Sequence, residues 1–182
     1  MKRSRSLKLA LMGASALTLA ACDNQQDAAI FESVEQCVRH DGFGMEDCQA
    51  NMKKAEAEHI RVAPKYTSAA DCEADFGADQ CETAPQRTQS GGSVFMPLMM
   101  GYMMGNMLSG RSRVASQPLY RSKDDPKNFR TGDNKKVSGK TGISKVGSQV
   151  ARAPSTKTST IRRGGFGSTA RRTARRFRSF GG

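Results

Sequence analysis

Charge divides this 182-residue chain into two parts that cannot obey the same folding rules. Residues 22–90 carry 14 acidic and 6 basic side chains, residues 91–182 carry 3 and 19, and no acidic residue follows Asp133. A segment that basic repels itself and collapses only against an anionic partner. Composition points the same way. Aromatic residues make up 6% of the chain, Trp is absent and 18 residues are Gly, which argues against one large core. Two halves of different physical kinds are expected.

A targeting signal precedes the acidic half. Lys2, Arg3, Arg5 and Lys8 form a basic start, an apolar stretch follows, and Leu19-Ala20-Ala21-Cys22 has the form of a bacterial lipobox. Its resemblance to lipoprotein signals implies removal of residues 1–21 and acylation of Cys22 on both its thiol and its new amino group. The apolar run falls well below the roughly 20 residues of a spanning helix, whereas several acyl chains anchor a protein stably. The address is the cell envelope, facing the periplasm. Asp23 resembles the inner-membrane retention signal of enterobacterial lipoproteins, although other bacteria read that position differently.

Export bears on the remaining cysteines. Four of them in an oxidising compartment favour disulfides over metal ligands. Phe31-x-Ser33, Cys37, Phe43-Gly44 and Cys48 are echoed by Tyr66-x-Ser68, Cys72, Phe76-Gly77 and Cys81. This weak duplication makes Cys37 with Cys48 and Cys72 with Cys81 the preferred pairs among three connectivities. Each closes a loop of about ten residues, worth about 2–3 kcal/mol on the chain-entropy estimate. Ser33 and Ser68 read as helix starts, Gly44 and Gly77 as turns, and Met45 to Val62 as an amphipathic helix with Met45, Cys48, Met52, Ala55 and His59 on one face. The cysteine spacings do not suit zinc. His40 and His59 are the only histidines, and no catalytic motif accompanies them, so a general-base or ligand role is disfavoured. No catalytic residues, cofactor or metal site is expected.

Residues 94–108 read VFMPLMMGYMMGNML. Met96, Met99, Met100, Met103, Met104 and Met107 fall at the spacings of one helical stripe, with Pro97 in its first turn and Gly101 and Gly105 on another side. A flexible thioether face docks by default onto irregular apolar surface, the membrane interface or a like helix. Cuprous ion is the alternative occupant, and a pore or inserted segment is a third.

Residues 111–163, rich in Ser, Thr, Gly, Lys and Arg, lack apolar periodicity and read as a disordered linker. From Phe166 the spacing of Ala170, Thr173, Phe177 and Phe180 leaves Arg171, Arg172, Arg175, Arg176 and Arg178 on the other faces, a basic amphipathic tail suited to anionic lipid or lipopolysaccharide. The Arg-Gly-rich stretch is also similar to RNA-binding tails, but export argues against nucleic acid.

The lipobox, Ala63-Pro64-Lys65-Tyr66, Cys72 to Cys81 around Phe76-Gly77, Phe95-Met96-Pro97-Leu98 through Gly105, Gln117-Pro118-Leu119-Tyr120 and Arg163-Gly164-Gly165-Phe166-Gly167 follow one another as in the YgiB-like family of uncharacterised bacterial lipoproteins, which the chain resembles. It departs from that family in a shorter linker at 84–92 and a more arginine-rich tail. The resemblance implies the address and no mechanism.

The expected protein is mainly α. A signal peptide occupies 1–21, a disulfide-stapled helical region 22–90, a methionine helix 91–110, a disordered basic linker 111–163 and the arginine tail 164–182. A non-enzymatic structural or adaptor role in the envelope is expected, with periplasmic copper handling as the alternative.

Overall fold

The computed structural model describes residues 25–105, 114–154, 160–161 and 165–167. Contrary to the mainly α expectation, 34% of these lie in strands and 28% in helices. Five strands form one antiparallel sheet, ordered β7-β6-β5-β1-β8: β1 (Gln26–Phe31), β5 (Gly101–Gly105), β6 (Gln117–Ser122), β7 (Asp125–Arg130) and β8 (Gly142–Val146). The central β1 carries an apolar run, Ala28 to Phe31, whose residues are at most 1% exposed. A strand buried on both faces reads as a continuous apolar run without alternation. Ala28 and Ile30 meet Met103, Leu119 and Phe129 on one face, while Ala29 and Phe31 meet Met104, Tyr102 and Phe43 on the other.

Helices cover that second face. Both serine caps form as expected: Ser33 Oγ accepts from the Gln36 N–H at the start of α1 (Val34–Val38), and Ser68 Oγ from the Asp71 N–H at the start of α3 (Ala69–Phe76). Between them α2 (Met45–Val62) buries Cys48, Ala55 and His59 of the expected stripe together with Val62, while Met52 is half-buried and Met45 is exposed. Lys65 Nζ donates to the Ile60 carbonyl at 2.9 Å and the Ala63 carbonyl at 3.3 Å, satisfying acceptors left free at the end of α2. Cys37 is bonded to Cys48 and Cys72 to Cys81, with Cα separations of 5.9 and 6.2 Å.

A second sheet, ordered β3-β4-β2-β9, contains β2 (Lys65–Tyr66), β3 (Cys81–Arg87), β4 (Ser93–Pro97) and β9 (Thr160–Ile161). The expected methionine helix does not exist: its sequence forms β4, a connection and β5. Period two wins over the helical stripe because Val94 and Met96 are buried while Phe95 between them is only half-buried. Gly101 and Gly105 would each cost a helix about 1 kcal/mol relative to Ala. In the sheet Gly101 is required instead, since a Cβ there would lie 2.7 Å from the Phe31 carbonyl and 3.3 Å from the Phe129 ring.

The basic half is folded where it is described. β6, β7, β8 and α4 (Ser148–Ala151) occupy much of the stretch expected as a disordered linker. The acidic half of the same chain supplies anionic contacts to it: β8 pairs with β1, Arg121 reaches Glu32 at 2.8 Å and Lys145 reaches Asp27 at 3.7 Å.

Candidate functional site

The chain turns sharply after α2, and Ala63-Pro64 deliver Lys65-Tyr66 into β2. Tyr66 is fully buried, and its hydroxyl donates to Asp75 Oδ2 at 2.9 Å. Burial, and then the Asp75 charge, push the Tyr66 phenol far above its ordinary range, so it remains a donor. The same carboxylate oxygen accepts the backbone N–H groups of Gly165 at 3.2 Å and Phe166 at 3.3 Å. Asp75 therefore reads the backbone of a segment ninety residues downstream.

That segment is seated by more than Asp75. The Phe166 ring is 1% exposed and lies 4.7 Å from Phe76 and 6.2 Å from Tyr120, centroid to centroid. The Asn134 side-chain amide donates to the Gly167 carbonyl and accepts the Gly167 N–H, both at 3.0 Å. Gly167 has φ of 75°, and a Cβ there would collide with the Asp124 carboxylate. Upstream, β9 runs parallel to β2, with Lys65 opposite Thr160 and Tyr66 opposite Ile161.

Beside this groove stands a second polar chain. His59 Nδ1 lies 2.8 Å from the Tyr120 hydroxyl, and Nε2 lies 3.1 Å from Glu82 Oε1. Desolvation lowers the His59 pKa despite Glu82, and burial holds Tyr120 protonated. One tautomer satisfies all three groups: Nε2–H donates to Glu82 while Nδ1 accepts from Tyr120. The arrangement resembles a carboxylate-histidine-hydroxyl relay in its bonding. Its hydroxyl, however, is enclosed, with Tyr120 at 0% exposure, so it ties α2, β3 and β6 together rather than presenting a nucleophile.

The comparisons with known proteins agree with one another. A family model described as a protein of unknown function, DUF1190, matches residues 25–176. The chain belongs to the DUF1190 family. Relatives named only as UPF0441 proteins include one from Erwinia tasmaniensis, 36% identical over 87% of this chain and 78% of its own. Another, from Serratia proteamaculans, is 35% identical over 93% and 84%. A third, from Sodalis glossinidius, is 34% identical over 91% and 82%. No solved structure matches.

In this DUF1190 chain the methionines do not share a face. Met96 packs in the cluster of Tyr66, Phe76 and Phe166, Met103 in that of Ile30, Leu119 and Phe129, and Met104 in that of Phe31, Tyr102 and the Cys37–Cys48 bridge. Met99 and Met100 lie half-buried in the connection. Cys22, Met107, Arg171, Arg172, Arg175 and Arg176 fall outside the described residues. His40 is half-buried, edge-on against Phe31 and Phe43. The Phe166 expected on the apolar face of a surface helix is instead buried in the fold.

Sequence reasoning passed over Tyr66, Asp75, Glu82, Tyr120 and Asn134 as site residues. A signal was nevertheless present. Five blocks after the lipobox motif carry the family resemblance, and each sends a residue into one cluster: Tyr66, Phe76, Met96, Tyr120 and Phe166.

Proposed function

We propose that this protein is a non-enzymatic lipoprotein of the bacterial cell envelope, anchored through Cys22, in which a folded two-sheet body holds basic segments where they contact anionic envelope components. The observation that carries the reading is the pair of short-range disulfides in a chain whose N-terminus reads as a lipobox, since such bonds persist in an exported protein and rarely in a reducing cytosol. Among the described residues no helix is long and apolar enough to cross a membrane. Basic side chains near an anionic leaflet contribute on the order of 1 kcal/mol each, which suits a protein already held there by lipid.

The role that follows is structural or adaptor. Its first test is the intact mass of the mature protein: acyl chains on Cys22 and a chain beginning there are expected, and an unmodified thiol overturns the anchor. The second is flotation with vesicles with and without anionic lipid, comparing the intact protein with one lacking residues 168–182. Equal binding in all four combinations removes the anionic-contact role.

A further inference from the structure

The two ends of the curled five-stranded sheet differ, and the start of β1 marks one of them. Gln26 stands opposite Val146 and Asp27 opposite Lys145, so β8 finishes where β1 begins. α4 follows β8 directly and closes this end, with Val150 and Ala151 packed against the cluster of Ile30, Met103, Leu119 and Phe129. The Ala115 N–H donates to the Ala151 carbonyl at 2.8 Å, Gln117 Nε2 to the Val150 carbonyl at 2.8 Å and Lys135 Nζ to the Gln149 carbonyl at 3.1 Å. Lys135, Lys145 and Arg152 surround the closure, and the Lys145 side chain is 69% exposed despite its contact with Asp27. The other end lies where β1 runs out at Phe31. There Gln36 Nε2 donates to Thr141 Oγ1 at 3.3 Å, Arg121 pairs with Glu32, and a Cβ on Gly139 would lie 3.2 Å from the Lys127 carbonyl. Lys127 and Lys140 therefore belong to this far end, and both are exposed.

An anchor at Cys22 precedes Gln26 by four residues. Whatever conformation they adopt, four residues reach at most about 14 Å, whereas β1 itself spans about 17 Å. Such an anchor holds the start of β1 at the leaflet, and the body can only pivot about it. Charge selects among the pivots. Residues 32–62, which form the helical side, carry 7 acidic and 4 basic side chains, while residues 142–154 carry Lys145 and Arg152 and no acidic side chain. An anionic leaflet repels the first and attracts the second. Its potential fades within about 8 Å at physiological salt, so the far end lies beyond it.

We propose, resting on the lipid anchor proposed above, that the end of the sheet closed by α4 is the membrane-apposed surface of the protein, with Lys135, Lys145 and Arg152 against the phosphate headgroups of an anionic leaflet. The far end, with Lys127 and Lys140, points away from the lipid.

Lysine footprinting of the acylated full-length protein tests this. The protein is added to preformed vesicles of phosphatidylcholine and phosphatidylglycerol and treated with a membrane-impermeant amine-reactive ester, and mass spectrometry reads each lysine. The chain carrying Cys22→Ser, free in buffer, sets the reference rates. On the vesicles Lys145 is expected to react about threefold or more slowly than in the reference, while Lys127 and Lys140 keep their rates. An unchanged rate at Lys145, or slowing at Lys127 and Lys140 as great as at Lys145, overturns the proposal. In vesicles of phosphatidylcholine alone the tether remains and the attraction is gone, so the protection of Lys145 is expected to weaken; unchanged protection there overturns the role given to charge. Intact mass separates the two levels of the argument. Acyl chains on Cys22 without protection of Lys145 keep the anchor and remove the orientation, whereas a chain without acyl groups removes both.

Discussion

His59 carries no charge in the folded protein because burial outweighs its Glu82 neighbour, and acid must change that. With a folded pKa below its ordinary value, the unfolded chain takes up the proton first. The stabilisation is therefore present above the usual value of 6.5 and is lost as pH falls below it. Urea unfolding from about pH 8 to about pH 5 is expected to show that loss, and His59→Gln to flatten it. A wild-type profile as flat as the variant's would contradict a buried neutral imidazole. Tyr66→Phe deprives Asp75 of its phenolic donor and is expected to cost about 1–3 kcal/mol in thermal unfolding. At this scale legibility followed locality. Ser33 and Ser68 cap helices that begin beside them, so their roles could be read directly. Asp75 passed for one more solvated carboxylate because its backbone partners, Gly165 and Phe166, are brought to it only by the tertiary fold.

Among the elements, α2 was legible because its apolar face recurs over eighteen residues, long enough for the period to be unambiguous. The methionine segment was not. Methionine is dense enough there to mimic a helical stripe, while β4 and β5 are five residues each, too short for alternation to assert itself. Gly101→Ala discriminates between the two readings. In a helix it would stabilise, but in β5 the new methyl meets the Phe31 carbonyl, and a loss of about 1–3 kcal/mol is expected in urea unfolding. Replacing Cys72 and Cys81 together with Ala frees α3 from β3 and is expected to cost about 2–3 kcal/mol, read as a lowered unfolding midpoint.

On the scale of the whole molecule, the charge division was real and its consequence misjudged. The basic half does find anionic contacts within the same chain, through β8 on β1 and the Arg121–Glu32 and Lys145–Asp27 ion pairs. Its own apolar residues are few, so the pattern of β6 to β8 is faint without their neighbours. Residues 111–182 expressed alone are accordingly expected to give no strand signal in far-ultraviolet circular dichroism, and native-like strand content in that fragment would contradict the dependence. The register of β1 has a further consequence. Ala28 has its ladder partners Gly105 and Ser144 on the order of a hundred residues later in the chain. The two cysteine loops span separations of only 11 and 9. Such local loops close over far less chain than the central strand does, so the apolar run Ala28–Phe31 stays bare until distant strands arrive and is the stretch of the folding chain most prone to aggregate.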